Sequence, residues 1–579
     1  MPSNIKRSIF LSAFIFSLVC FSLNSCKQEK EIQGAFELIE SVKEGKFEKA
    51  AVVSAHPLAS EIGKEILMKG GNAIDAAIAV QFALAVCYPA AGNIGGGGFM
   101  ILRTKDGIYE ALDFRETAPA SAHRDMYLNE EGEVIQGLSL NGALAAGIPG
   151  SVDGMWEAFQ KYSKLKQWTT LVEPSVELAR RGYQISGQEA GWLNRFKESF
   201  LEVNKDTIIL VNAQSEWKEG DLLIQEDLAR TLSLIAEKGR DGFYTGEVAE
   251  QIVAEMDRSG GIITLDDLRN YRSVWREVIK SEYKDYTVVG MPPPSSGGIA
   301  LAMLLNAMES QELDSLEFHS PEAIHLMAEA ERRVYADRAI HFGDSDFYDV
   351  PVEQLLSKEY MKDRMEDFDP VKASLTSDIQ AGNMKESEET THFSILDEEG
   401  NAVSLTTTIN TGYGSKLMVS GAGFLLNNEM DDFSAKPGVP NFFGLVGTEA
   451  NAIEANKRML SSMTPTIVEK DGELRIIVGT PGGSTIITSV FQVLMNIIEF
   501  DMNAYEATSA CRFHHQWKPD NIFIEEQCFS DSLKTLMNNL GHEVVTRSGI
   551  GKVETIMIND EGLVEAAADP RGDDSASGY

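Results

Sequence analysis

Residues 385–408, KESEETTHFSILDEEGNAVSLTTT, change character at a single residue. Up to Glu389 the chain is charged and polar, and that polarity reaches back to residue 366. From Thr390 onward Phe393, Ile395, Val403 and Leu405 alternate with small or polar residues, the period-two pattern of buried strands. A fold for this chain must therefore start a buried strand with a hydroxyl residue directly behind an acidic leader. Two accounts fit: a plain strand start, or a hidden N-terminus released by cutting the Glu389–Thr390 bond. The second carries chemistry. A threonine hydroxyl is a weak nucleophile unless a base lies beside it, and the residue's own α-amine, with an ordinary pKa of about 7.7–8, can be that base.

The rest of the chain reads as α/β. Residues 73–88 form an Ala-rich helix, apolar nearly all round and capped by Asn72, which belongs in a core. The glycines at 95–98 lead into a strand, FMILRT, whereas phosphate cradles open a helix; a tight backbone corner beside a site is the better reading. YEALDFRETAPASA is a strand running into a loop, with Arg115 at the turn. Residues 151–290 read as mainly helical, MPPPSSGG as a proline loop feeding a helix, and 320–342 as a helix. Strands are expected at 392–397, 402–409, 465–469, 474–479 and 554–558, with helices at 484–499 and 503–511. Helices covering a two-sheet core accommodate this order, with the strands concentrated in the last third. Length alone suggests two to four domains, although a large layered α/β unit can run as one.

With 51 Lys and Arg against 88 Asp and Glu, the formal charge is −37, which repels nucleic acid and anionic lipid surfaces. At the N-terminus Lys6 and Arg7 precede the apolar run IFLSAFIFSLVCFSL, the pattern of a secretory signal peptide. LNSC at 23–26 resembles a bacterial lipoprotein signal, which would make Cys26 the lipidated first residue; Asn24 departs from the small residue usual there. This predicts a signal over 1–25, a tether over 26–47, and a periplasmic or cell-surface lipoprotein held to the membrane by lipid. No CxxC or Cys/His zinc spacing occurs, so neither metal nor cofactor is expected. A Cys511–Cys528 disulfide is open but carries little weight. Gly-x-Ser-x-Gly and HExxH are absent. His514 and His515 read as core histidines, and Asp344, Asp346 and Asp349 as a solvated turn.

GGNAIDAAIAV, GNIGGGGFM, DFRETAP, PPPSSGG, TTHFSILDEEGNAVSLT, LLNNEMDDFSAKPGVPNFFGLVG, LSSMTPTIV, GTPGGS, RFHHQW and the closing SGY occur in one order over residues 48–579. On these strings the chain resembles the γ-glutamyltranspeptidase (glutathione hydrolase) family. The resemblance implies an N-terminal-nucleophile αββα sandwich, autoprocessed into two intertwined subunits, 48–389 and 390–579. It implies Thr390 as nucleophile, Thr408 bonded to its hydroxyl or amine, and Gly482 and Gly483 as oxyanion donors. Arg115, Ser461 and Ser462 would grip the substrate α-carboxylate, while Asn410, Glu429 and Asp432 hold its ammonium; Asp431 reads as structural. Among Thr406–Thr408, Thr407 is explained by β-propensity alone. Residues 433–447 resemble the lid. Phe443 stands where some relatives have tyrosine, so a gate built on a phenolic hydrogen bond to Asn410 cannot form, and tight closure is not expected.

The implied activity is hydrolysis of glutathione and other γ-glutamyl amides, and γ-glutamyl transfer to amino acids or dipeptides. Its partners would be those compounds, water and the two subunits, with no nucleic acid. Two alternatives stay open: a member adapted to another acyl donor, such as poly-γ-glutamate or a glutaryl amide, and an uncleaved surface-binding lipoprotein.

Overall fold

Two antiparallel sheets of seven strands each stack face to face, and the strand that begins at Thr390 lies near the middle of one of them. The computed structural model describes residues 34–311, 315–376, 390–526 and 528–579. The expected signal over 1–25, Cys26 and residues 377–389 of the acidic leader lie outside the described residues. The first sheet runs Ser575–Gly578, Ala51–Ser54, Thr390–Leu396, Ala402–Thr408, Gly97–Arg103, Tyr109–Asp113, Val274–Arg276. The second runs Glu44–Phe47, Val564–Ala568, Glu554–Ile558, Glu473–Gly479, Thr466–Lys470, Tyr286–Gly290, Ile279–Tyr283.

The period-two pattern now has an assignment. Phe393, Ile395, Val403 and Leu405 pack outward against the helices Pro57–Met68 and Ala73–Cys87, and Val52 does the same from the neighbouring strand. Leu396 and Ala402, with Ala51 and Val53, pack inward against Ile467, Ile477 and Ile556 of the second sheet. Helices Gly297–Glu309, Pro321–His341 and Ile486–Ile498 cover the second sheet's outer face. The four layers are helix, sheet, sheet, helix, as expected. Helix Ala73–Cys87 is buried along its whole length and opens with a capping box between Asn72 and Asp75, a device worth about 1 kcal/mol.

Residues 35–579 form one unit rather than several domains. Strands are not confined to the last third, because both sheets recruit short segments from far away in sequence. Glu44–Phe47 pairs with Val564–Ala568, so the last four residues of the expected tether belong to a sheet. Its alternating exposed side chains explain why EGKF gave no apolar signal. Three more strands of these two sheets fall in the stretch read as mainly helical, at Val274–Arg276, Ile279–Tyr283 and Tyr286–Gly290, and Tyr183–Gln184 pairs there with Leu222–Leu223 in a separate two-stranded ribbon. Cys511 and Cys528 are joined in a disulfide, their Cα atoms 5.8 Å apart. Asp344 is not solvated. It is fully buried and accepts from the Arg458 and Asp346 amides, while Asp346 pairs with Arg276.

Between the sheets the even-numbered positions near Thr390 are polar. Ser394 Oγ donates to Glu554 O (3.0 Å) and Ser404 Oγ to Val478 O (3.0 Å), both on the opposite sheet. His392 lies between Thr406 Oγ1 (2.8 Å) and Ser394 Oγ (3.1 Å), and its ring covers Gly479, where a Cβ would come within 2.2 Å. Burial pushes the His392 pKa down to about 3. The folded state then binds fewer protons than the unfolded chain, so the stability His392 contributes above its ordinary pKa of 6.5 is lost as pH falls towards 3. Measured by denaturant unfolding, wild-type stability relative to His392→Gln should drop by about 2 kcal/mol between about pH 7 and about pH 5. An unchanged difference would mean that His392 takes up its proton in the folded protein over the same pH range as in the unfolded chain.

Candidate active site

Strand parity decides which threonine faces the cavity. Thr390, His392, Ser394 and Leu396 alternate toward the second sheet, and in the paired strand Ala402, Ser404, Thr406 and Thr408 do the same. Thr390 therefore sits directly across from Thr408 at the end of the gap between the sheets, and both line one cavity. Thr407 points the other way. Its hydroxyl donates to Gly97 O (3.0 Å) and accepts from Gln81 and Asn93, so it is fixed by buried hydrogen bonds and not by strand propensity alone. Asn93 also donates to Thr408 O (2.9 Å), which ties the glycine corner to the strand. The corner must be glycine: a Cβ on Gly96 would lie 2.0 Å from Thr408 O.

Arg115, Asn410, Glu429, Asp432, Ser461, Ser462 and Gly483 line the same cavity; Gly482 lies one residue behind. Arg115 leaves the end of strand Tyr109–Asp113, its amide held by Asp113 Oδ1 (2.9 Å). Its guanidinium hydrogen-bonds Glu429 and Asp432 (2.6 Å for the latter), with Glu116 at 3.7 Å. These contacts differ from the expected division of labour: Arg115 bridges the two acidic residues assigned to the ammonium, and neither serine touches it. Burial raises the pKa values of Glu429 and Asp432, and takes Glu116 to about 8. The three acids in turn raise Arg115 against the cost of its own burial. One Glu429 oxygen and both Glu116 oxygens have no hydrogen-bond partner among the described residues. Asn410 Nδ2 donates to Asn428 O (3.0 Å), and Thr408 Oγ1 accepts from the Asn410 amide (2.7 Å).

On the facing sheet, strand Glu473–Gly479 runs out into Thr480-Pro481-Gly482-Gly483. Gly482 and Gly483 have φ of 139° and 54°, a backbone region that excludes most side chains. Their carbonyl and side-chain neighbours tighten the turn through Gly482 O, which accepts from Thr485 N and Oγ1 (both 2.9 Å). The arrangement sets a hydroxyl, a zwitterion-like cluster of charges and a glycine turn around one volume.

A family model described as gamma-glutamyltranspeptidase matches residues 59–579. The chain belongs to the gamma-glutamyltranspeptidase family. It is 45% identical over 532 residues to a glutathione hydrolase proenzyme of Escherichia coli K12, covering 91% of each chain. A crystal structure of Helicobacter pylori gamma-glutamyltranspeptidase matches with 44% identity and a TM-score of 0.55, over 58% of this chain and 95% of that one. A cephalosporin acylase from Bacillus halodurans superimposes with a TM-score of 0.81 at 25% identity, over 93% of this chain and 98% of that one.

The segment that resembles the family's lid, 433–447, lines the cavity here through Phe433, Val439, Asn441 and Phe443, without a phenol. Phe443 is buried, and its ring lies so close to Gly483 that a Cβ there would sit 2.5 Å from it. Gln516 Nε2 donates to Phe443 O (3.1 Å), and Asp431 accepts from the Phe442 amide (2.9 Å) and from Ser139 Oγ (2.6 Å). Asp431 thus holds the lid's main chain. His514 passes Gln516 its orientation through a 2.8 Å hydrogen bond. Sequence reasoning missed one cavity residue of consequence, Arg338. The signal was a charged helix, EAERRVYADRAIH, whose Arg332, Arg333 and Arg338 are all buried.

Away from the cavity, His325, Glu329 and His542 come within 4.8 Å of one another. Most of their ligand atoms are engaged: His325 Nδ1 and His542 Nε2 share a 2.7 Å hydrogen bond, His325 Nε2 bonds Asp369 O (2.8 Å), and Glu329 is paired with Arg332 and Arg333, while His542 Nδ1 has no partner among the described residues.

Gly483→Ala should drive the Phe443 ring away and loosen the lid. An overpacking cost of about 1–3 kcal/mol makes the open form roughly fivefold to a hundredfold more populated, so limited proteolysis within 433–447 should speed up by that factor. Gly483→Ala/Phe443→Ala should nick no faster than Phe443→Ala alone. Proteolysis of Gly483→Ala at the wild-type rate would contradict this packing.

Proposed function

We infer that this protein hydrolyses glutathione and related γ-glutamyl amides and transfers the γ-glutamyl group to amino-acid or peptide acceptors, with Thr390 as the nucleophile. One observation carries the assignment: Thr390 heads a central strand, faces the cavity, and stands across from Thr408 beside a cluster of opposite charges. Maturation cuts the Glu389–Thr390 bond. The Thr390 hydroxyl attacks the Glu389 carbonyl, the peptide bond becomes an ester, and water hydrolyses it to a Glu389 carboxylate and a free Thr390 amine. That amine then takes the hydroxyl proton during attack on a donor's γ-carbonyl. The backbone N–H groups of Gly482 and Gly483 supply donors for the oxyanion. The leaving amine takes back the proton, and water or an amino acid resolves the γ-glutamyl ester.

The charged cluster suits a donor carrying an ammonium and a carboxylate on one carbon. Asp432, Glu429 and Asn410 take the ammonium. Arg115, released from part of its pairing with Glu429 and Asp432, takes the carboxylate together with Ser461 and Ser462. Acyl donors without that head group leave buried charges unmatched, which is costly, so this pocket favours γ-glutamyl donors over a glutaryl amide. A poly-γ-glutamate chain end presents the same head.

The purified protein should run as two chains on denaturing electrophoresis, the shorter beginning at Thr390. Thr390→Ala should remain uncut, and cleavage of that variant at the same bond would overturn the mechanism. Residues 1–25 are proposed as an export signal and Cys26 as a lipid attachment site, on the strength of the basic start, the apolar run and LNSC. Cys26→Ser should move the protein from the detergent phase to the aqueous phase; equal partitioning of both forms would count against lipidation.

A further inference from the structure

Arg338 reaches the cavity from the outer layer, on helix Pro321–His341. It is 4% exposed and pairs with no carboxylate among the described residues, an expensive state for a guanidinium. Its fork ends on two hydroxyls instead: Nε donates to Ser296 Oγ and Nη2 to Ser462 Oγ, both at 2.9 Å. A serine hydroxyl has one hydrogen to give. Ser296 gives its own to Ser461 O (2.7 Å), and the Ser296 amide donates to the same oxygen (2.8 Å). Ser295 Oγ adds a bond to Met463 O (2.6 Å). The PPPSSGG loop therefore clasps the main chain of Ser461–Met463, and Arg338 ties that clasp to Ser462. Ser462 Oγ accepts from Arg338 and donates to no acceptor among the described residues, so its hydrogen is left to point into the cavity.

We propose that Arg338 is a positioning residue for the donor's carboxylate: it acts through Ser462, fixing that hydroxyl as a donor toward the cavity and lending it positive charge. The proposal rests on the reading of Ser461 and Ser462 as carboxylate ligands. A hydroxyl that accepts from a cation is polarised into a stronger donor, and the cation's field adds long-range attraction for an anion without contact. Burial lowers the Arg338 pKa, with Asp432 opposing that effect, so a bound carboxylate also relieves an unpaired charge. Arg338 thus makes carboxylate affinity depend on a residue that never touches the substrate.

A double-mutant cycle on the matured enzyme with γ-glutamyl-p-nitroanilide tests this. Ser462→Ala and Arg338→Met should each raise KM by about tenfold to a hundredfold while kcat changes far less. The double variant should be no worse than the poorer single one. If Arg338→Met fails to mature, Arg338→Lys replaces it, with a smaller KM rise expected because one ammonium cannot span both serines; Ser462→Ala should again add nothing. Independent, multiplying losses, or an unchanged KM in the Arg338 variant beside a raised KM in Ser462→Ala, would overturn the positioning role. An unchanged KM in Ser462→Ala would instead sink the underlying carboxylate reading.

Discussion

The pairing of Thr390 with Thr408 across two adjacent strands is the constraint on which the site depends. Because side chains alternate along a strand, a slip of one residue would turn Thr390 into the helix layer and bring Thr391 to the cavity. Several contacts oppose that slip. Phe393, Ile395, Val403 and Leu405 fill the outer core, Ser394 and Ser404 satisfy hydrogen bonds toward the second sheet, and Thr406 bonds His392 on the paired strand. The register also places the end of strand Glu473–Gly479, and with it the glycine turn, at the same end of the sheet gap as Thr390. Thr390 and the glycine turn thus come from opposite sheets, aligned by the packing between them.

Around that frame the cavity concentrates charge that the interior would otherwise reject. Glu116, Glu429 and Asp432 share Arg115, and Arg338 stands nearby on two serines. Burial holds the acids toward their protonated forms while Arg115 draws them back. Such a cluster is a poor source of stability, and under the proposed function it suits a ligand with both charges, which can exchange places with the internal pairs. Within the segment 433–447 that lines the cavity, Phe443 packs on Gly483, an apolar contact.

Much of this could be read from the sequence where a local rule applied. The strand after Thr390, the capped helix at 73–87 and the proline loop before helix 297–309 all have periodic or capping signals. What stayed hidden depends on distant partners. Glu44–Phe47 and Ser575–Gly578 are four-residue strands whose partners decide their state. Cys511 and Cys528 are 17 residues apart, and only the folded backbone brings their Cα atoms to bonding range. Asp344 looked like a turn acid until Arg458 covered it. Arg338 resembled one more charge on a helix, and its role emerges only from Ser296 and Ser462. Motif strings singled out residues that the fold brings to one cavity, yet the Arg115 pairing with Glu429 and Asp432 needed coordinates.

The central claim is that Thr390 carries the acyl group on its side chain. Peptide mapping by mass spectrometry of enzyme quenched in acid during turnover of a γ-glutamyl donor addresses this most directly. The account predicts one γ-glutamyl group on a peptide whose first residue is Thr390, attached through the hydroxyl and removed by mild base. A γ-glutamyl group on any other residue, or a modified Thr390 still joined to Glu389, would contradict it.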